Sequence, residues 1–264
     1  MKLGFIGAGE MGSSIIRGIL KTGWKPEDIC ASVRTADSAQ RLTSSLGIAA
    51  YTDNARVIRE AQWLFLAVKP AQMPQVLAQI AASGAPAKVL ISMALGWSVE
   101  KIQKELPAWP VVRIMPNTPL ALGEGVTLFN FANEVPDRDR REVMALFEGM
   151  GKVFEISLSV FDAATAVSGS GPAFVYAFID ALAQAGVAQG MDEKQATSLA
   201  VQTVIGAAKM VEKEGVAPAE LARKVATPGG CTAAGMDVLQ NSAFKQILTD
   251  TVAATTLRAK EVGK

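Results

Sequence analysis

Leu3-Gly4-Phe5-Ile6-Gly7-Ala8-Gly9-Glu10-Met11-Gly12, continuing into Ser13-Ser14-Ile15-Ile16-Arg17-Gly18-Ile19-Leu20, decides the first half of the fold. The opening residues read as a short apolar strand. From Ser13 onward, Ile15, Ile16, Ile19 and Leu20 share one face at helical spacing. Between strand and helix stands G-x-G-x-x-G. Gly7 permits the tight turn, Gly9 lets a pyrophosphate approach the backbone, and Gly12 lets helix and strand pack closely. The glycine pattern alone is weak. With a strand before it and a helix after it, the stretch predicts a dinucleotide site lined by Gly7, Ala8, Gly9, Glu10, Met11 and Gly12.

The second strand tests that reading. Asp28-Ile29-Cys30-Ala31-Ser32-Val33 is extended and ends at Arg34-Thr35. An NAD-selective site places Asp or Glu at this strand end, against the ribose 2′-hydroxyl. Here the tip offers Ser32, Arg34 and Thr35. Arg34 can pair with a 2′-phosphate and the hydroxyls can assist, so NADP(H) is preferred and NAD(H) kept as the alternative. The competing reading of Arg34 is an ordinary surface arginine.

Strand and helix go on alternating. A helix over 37–46 leads to an Ile48-Ala49-Ala50 strand, and Thr52-Asp53-Asn54 opens another helix. Trp63 to Val68 is a continuous apolar run of the buried parallel-strand type, ending at Lys69-Pro70. Cofactors lie at the carboxyl ends of such strands, which makes Asn54, Ala67, Val68, Lys69 and Pro70 candidates to line the site. Val89 to Met93 is the next strand; it ends in Ala94-Leu95-Gly96, and Ser98 caps a helix. Val111 to Met115 leads into Pro116-Asn117-Thr118-Pro119. Ala94, Gly96 and Asn117 complete the cofactor candidates. A strand over 125–130, a helix over 136–150 and a strand over 152–157 close the half. The predicted architecture is an α/β, Rossmann-like domain over 1–158, its mostly parallel sheet covered on both faces.

From Ser159 the pattern is helical only. Asp162 reads as a helix start, Pro172 restarts a helix after Ser168-Gly169-Ser170-Gly171, and Asp192 caps another that Gly215 ends. Pro218 begins a short helix, and Ser242 caps the last one. This gives an all-α domain over 159–264. Ala181, Ala185, Gly186, Gly206, Ala207 and Ala208 allow close helix contact, within one bundle or across an intertwined dimer. The apolar composition favours the dimer.

Inside this half lies Thr227-Pro228-Gly229-Gly230-Cys231-Thr232, a tight turn feeding a helix. A helix start preceded by two glycines presents bare N–H groups and the positive end of a helix dipole. Thr232 adds a hydroxyl. The stretch admits two readings, a turn between helices and an anion site. Cys231 reads as a small filler, with a reactive thiol at a helix start as the alternative.

Composition narrows the chemistry. The chain has 264 residues, 50% hydrophobic, with 26 basic and 25 acidic side chains and a net charge of +1. No basic stripe marks a nucleic-acid partner. The most apolar run, Ala173 to Ala188, is broken by Asp180, Gln184 and Gly186 and is too short to span a membrane. The two cysteines form no disulfide framework or metal set, which fits a reducing cytoplasm. Histidine is absent, which removes the commonest acid/base, the Ser-His-Asp triad and His-ligated metals.

Taken together, these residues resemble the pyrroline-5-carboxylate reductase family over the whole length. The carriers are Gly7 to Gly12, Ala67-Val68-Lys69-Pro70, Arg113-Ile114-Met115-Pro116-Asn117-Thr118-Pro119, Ser168-Gly169-Ser170-Gly171-Pro172-Ala173 and Thr227 to Thr232. The resemblance implies reduction of (S)-1-pyrroline-5-carboxylate to L-proline by NADPH or NADH, the last step of proline synthesis. It implies an obligate dimer, often assembled further, with a helical dimerisation domain and an active site between the nucleotide domain of one subunit and the dimerised helices. It carries substrate contacts to Gly229, Gly230 and Thr232, with Thr227 and Cys231 beside them. Thr232 is the candidate catalytic residue. One departure is Leu95, where the family more often has a small residue.

Rival readings come from other classes. A β-hydroxyacid dehydrogenase needs a lysine on the first long helix of its second domain, and Val153 to Glu193 contains none. An imine reductase of other specificity and a non-enzymatic NADP-binding regulator complete the set. Against the regulator, a second glycine turn with Thr232 would have no use.

Overall fold

The computed structural model describes residues 1–262. They form two compact units, one of Met1–Ser170 with the chain from Thr255 on, the other of Gly171–Ala254.

The first unit is built on an eight-stranded sheet. In chain order its elements are β1 (Leu3–Ile6), α1 (Glu10–Lys21), β2 (Ile29–Ser32), α2 (Ala36–Leu46), β3 (Ala49–Tyr51), α3 (Asn54–Glu60), β4 (Trp63–Leu66), α4 (Met73–Ala82), β5 (Val89–Ser92), α5 (Val99–Glu105), β6 (Val111–Pro116), β7 (Gly125–Phe131), α6 (Asp137–Glu148), β8 (Gly151–Glu155) and α7 (Leu158–Ser168). The strand order is β3-β2-β1-β4-β5-β6-β7-β8. The first six strands run parallel; β7 turns back antiparallel to β6, and β8 runs parallel to β7. Order 3-2-1-4-5-6 reverses direction between β1 and β4, and dinucleotides bind across that switch point.

The elements form for local reasons. Strands β1, β2, β4 and β5 are buried along their whole length, as runs covered on both faces must be. Phe5 and Phe65 stack on neighbouring strands with ring centroids 4.3 Å apart. Caps define the helix starts: Thr35 Oγ1 accepts from Ser38 N, Asp53 from Ala55 N and Ser98 from Lys101 N. The close approach of α1 to β8's turn leaves no room for a side chain at Gly18, where a Cβ would overlap Met150 Sδ.

Asp162 does not open a helix. The helix begins at Leu158, after Ser157 in extended conformation, and Asp162 lies one turn inside it. Arg113 in β6 and Asn117 just after it both bond to α7. Arg113 donates to Asp162 Oδ1 at 3.2 Å and its guanidinium lies 4.1 Å from the Phe161 ring centroid; Asn117 Nδ2 donates to the Ser168 carbonyl at 2.9 Å. By packing α7 belongs with the sheet, although its composition groups it with the helices that follow.

The second unit contains α8 (Gly171–Ala188), α9 (Glu193–Glu214), α10 (Pro218–Val225), α11 (Cys231–Gln240) and the start of α12 (Phe244–Val262). Asp192 caps α9 by accepting from Gln195 N, and Gly215 ends it at φ 62°. Its buried cluster consists of Ala183, Ala196 and Ala200. Ile179, Val187 and Met191 pack partly buried against it, while many large apolar side chains are exposed, Tyr176 at 60%, Val238 at 70% and Ile247 at 60%. Taken through α7 and α8, Leu158–Ala188 is long and apolar enough to cross a membrane, longer than the run that reads as too short in the sequence.

Candidate active site

Three of the loops predicted to hold a dinucleotide meet at the switch point. Gly7 has φ +87°, and a Cβ there would stand 2.6 Å from the Ala67 carbonyl oxygen and 2.9 Å from Val68 Cγ1. Ala67 N donates to the Ile6 carbonyl at 2.9 Å, and Gly7 N to the Ser32 carbonyl at 2.9 Å. The ends of β1, β2 and β4 are thereby tied at one place. At Gly12 a Cβ would meet Ala67 Cβ at 3.1 Å and the Gly7 oxygen at 3.2 Å, so this glycine lets α1 start against both loops.

Gly9 is different: a Cβ there would meet nothing within 4 Å. It is the N-cap of α1 and brings no side-chain cap, so no capping side chain takes the first N–H groups of the helix. A pyrophosphate fits such a cradle, because backbone and ligand can approach with no side chain between them. Ser13 Oγ steadies the loop by donating to the Ala8 carbonyl at 2.9 Å.

At the tip of β2, Ser32 is buried, with its hydroxyl 3.5 Å from the Phe5 carbonyl, whereas Arg34 and Thr35 are exposed. Two residues outside the sequence reading join them. Thr35 Oγ1 donates to Ser38 Oγ at 2.9 Å, and Arg41 Nη2 donates to the same oxygen at 3.1 Å. Their spacing of three residues puts them on one helix face, a signal readable in advance. They border a groove of about 850 Å³ between α1 and α2 that reaches Ala8 and also takes in Arg17, Ser44 and Ser45.

Not every candidate presents a free side chain. Asn54 Nδ2 donates to Gln79 Oε1 at 2.7 Å. Asn117 is 6% exposed and both ends of its carboxamide are taken, Oδ1 by Val126 N at 2.8 Å and Nδ2 by the Ser168 carbonyl. Its role in the fold is to join β6, β7 and α7. Lys69 is exposed; Gln72 Oε1 accepts from its N–H at 3.2 Å, and Pro70 starts the turn before α4. Ala94 is buried, and Gly96 has φ +78°.

The second glycine turn stands in the second unit. Pro228 and Gly229 are its central residues, Gly229 has φ +75°, and Gly230 N closes it on the Thr227 carbonyl at 3.0 Å. A Cβ on Gly230 would approach Thr227 Oγ1 to 2.8 Å, whereas one on Gly229 would meet nothing within 4 Å. Gly230 is the N-cap of α11 and has no side chain to satisfy the helix start. Cys231 and Thr232, the first two helical residues, are exposed. No partner among the described residues takes the Thr232 hydroxyl. No group of three or more metal-ligating side chains exists among the described residues.

Comparison with known proteins places this geometry. Residues 159–262 match the model of pyrroline-5-carboxylate reductase dimerisation, and residues 2–96 match that of NADP oxidoreductase, coenzyme F420-dependent. The pyrroline-5-carboxylate reductase of Arabidopsis thaliana is 35% identical, covering 100% of this chain and 96% of its own; that of Methanosarcina acetivorans is 37% identical, covering 100% and 98%. The chain belongs to the pyrroline-5-carboxylate reductase family. The crystal structure of the Plasmodium falciparum family member with NADP bound matches with a TM-score of 0.89 at 31% identity, covering 100% of this chain and 98% of that one. Prephenate dehydrogenase of Aquifex aeolicus, at 13% identity and a TM-score of 0.56, shares the fold alone. Family members thus match over the length of both units.

Proposed function

We propose that this chain reduces (S)-1-pyrroline-5-carboxylate to L-proline, the last step of proline biosynthesis, with NADPH as preferred donor and NADH as the alternative. The observation that carries the reading is a pair of glycine turns, each opening a helix with unspent N–H groups. One lies at the switch point of a nucleotide sheet. The other stands beside an unpartnered threonine hydroxyl. Membership of the reductase family supports the assignment.

The first turn, Gly7 to Gly12, takes the cofactor pyrophosphate, with Ala67, Val68, Lys69, Pro70, Ala94 and Gly96 beside the rest of the molecule. Arg34, Thr35, Ser38 and Arg41 take the 2′-phosphate, a doubly charged group that guanidinium and hydroxyl donors suit. The second turn takes the substrate carboxylate on the N–H groups of Gly230 to Thr232, with Thr227 and Cys231 shaping the turn. Bound NADPH supplies the hydride that the carbon of the C=N bond accepts.

The residues then have modest tasks, which suits a chain without histidine. A protonated imine is already an electrophile, so addition to its carbon leaves the amine with no acid required afterwards. The Thr232 hydroxyl holds the ring nitrogen or the carboxylate, and the turn orients the imine for a near-attack geometry.

The chain self-associates through its helical half, as a homodimer that can assemble further. The outward Tyr176, Val238 and Ile247 supply apolar surface for this, and the same use accounts for the apolar Leu158–Ala188 stretch without a membrane. Mixed surface charge supports no nucleic-acid partner. Cys30 is buried, its thiol pushed up to about 11 by burial, and Cys231 is free. Two unpaired thiols suit the reducing cytoplasm.

The test is direct. Purified protein, NADPH and pyrroline-5-carboxylate are mixed and the NADPH absorbance followed. Oxidation of NADPH with the imine is expected, and no reduction of NADP+ when it is mixed with 3-hydroxy acids. Reduction of NADP+ by a 3-hydroxy acid, or no oxidation of NADPH with the imine, defeats the reading.

A further inference from the structure

The turn that follows β5 is closed and held from both sides. Trp97 N donates to the Ala94 carbonyl at 3.2 Å, and Gly96 supplies the left-handed residue at φ +78°. Ser92 Oγ accepts from Ala94 N at 3.3 Å, fixing the direction in which the chain leaves the strand. The Trp97 indole Nε1 then donates to the Pro70 carbonyl at 3.2 Å. From α5, Lys101 Nζ stands 4.7 Å from the centroid of the same ring. Indole and ammonium at that distance attract, which keeps the ring from swinging out.

Pro70 belongs to the loop after β4, and that loop is already seated on the glycine turn through Ala67. The indole therefore links the β5 loop to the β4 loop, and through it to the β1 loop. Met93 N donates to the Leu66 carbonyl at 3.3 Å and joins the two strand ends; beyond it, the indole adds a side-chain bond between the β5 loop and Pro70.

We propose that Trp97 is a positioning residue for the nicotinamide half of the cofactor site. Through the Pro70 carbonyl it holds Ala67–Pro70 and Ala94–Gly96 as one wall, so that the cofactor meets a preformed surface. This rests on the reading that those two segments line the cofactor. The essential group is the indole N–H, since an aromatic ring without it can still lie under Lys101 but tethers nothing.

Trp97→Phe keeps an aromatic ring under Lys101 and removes the donor. NADPH binding, read by its fluorescence, is expected to weaken about three- to tenfold, the factor that one hydrogen bond commands. The KM for NADPH should rise in step, with the KM for pyrroline-5-carboxylate and the Tm nearly unchanged, and the primary isotope effect with 4-deuterated NADPH should grow. Unchanged NADPH affinity overturns the proposal, as does a parallel rise of both KM values with a falling Tm. Should Trp97→Phe fold poorly, Lys101→Ala is read by the same binding measurement. It should weaken NADPH in the same direction by a smaller factor, and unchanged affinity there counts against the tether. The binding assay needs no turnover. A wild-type protein that binds NADPH but leaves the imine untouched would defeat the proposed reaction and leave the Trp97 test standing.

Discussion

Gly7 and Ala67 approach so closely that no side chain fits between them: a Cβ on Gly7 would lie 2.6 Å from the Ala67 carbonyl oxygen. The obstacle is backbone, which cannot swing aside, and φ +87° is itself unfavourable for an L side chain. Gly7→Ala is expected to cost about 2 kcal/mol or more of stability, the sum of strain and displacement. Thermal unfolding checks this, and NADPH titration should show weakened binding in whatever folds. Gly9→Ala, where a Cβ meets only open space, should leave the Tm almost alone and weaken NADPH. A destabilised Gly9→Ala would contradict the cradle.

Arg34 follows the tip of β2 and is exposed, and Arg41, on α2, is bonded to Ser38. If both serve the 2′-phosphate, Arg34→Ala should raise the KM for NADPH by about ten- to a hundredfold, the scale of one charged hydrogen-bonding partner, and change NADH little. Arg41→Ala should act in the same sense but less, because it reaches the phosphate beside Ser38 and Thr35. Steady-state kinetics with both cofactors decide it. Equal loss with NADH and NADPH would return these arginines to the ordinary surface.

Thr232 has the clearest expected signature. Thr232→Val keeps the shape and removes the hydroxyl. Turnover should fall by one to three orders of magnitude, about the effect of losing one oriented donor. Thr232→Ser should retain much of the rate. Wild-type turnover in the valine variant would remove the residue from the reaction.

An acid limit is set at Glu60, the last residue of α3. Glu60 accepts from Lys2 Nζ at 2.7 Å and from Arg56 Nε at 2.9 Å. These two hydrogen bonds hold its carboxyl down to about 2, from an ordinary 4.5. The folded value lies below the unfolded one, so the stabilisation is complete above the unfolded value and is lost as pH falls from about 4.5 toward 2. Glu60→Gln should lower stability at neutral pH and flatten its decline across that acid range. An unaltered acid-unfolding curve would show that the cluster adds nothing.

Much of this could be read from the chain because its chemistry is local. A glycine turn with its strand and helix, a Pro-Gly-Gly turn, and the caps at Asp53, Ser98 and Asp192 all depend on neighbours a few residues away. What the chain hides has the opposite property. Asp162 looks like a cap, but its carboxylate is engaged by Arg113, 49 residues earlier. Asn117 stands in a readable motif, but the bonds of its carboxamide to Val126 and to Ser168, 51 residues later, are not readable from its neighbours. Burial makes that engagement necessary: Arg113 is 3% exposed, its Nε has no partner, and desolvation pulls its pKa down while Asp162 pulls the other way. Arg41 is a milder case. Its three-residue spacing from Ser38 is visible, but the groove that the two residues border is not.

The outward apolar helices of the second unit place this protein under mass action. A unit whose buried cluster is three alanines has little to oppose the entropy of its own chain. What completes it is another copy. Its folding is then linked to association, and dilution works on it as heat does. The unfolding temperature should climb with protein concentration, and the amount of chain a cell makes would set how firmly each copy is folded.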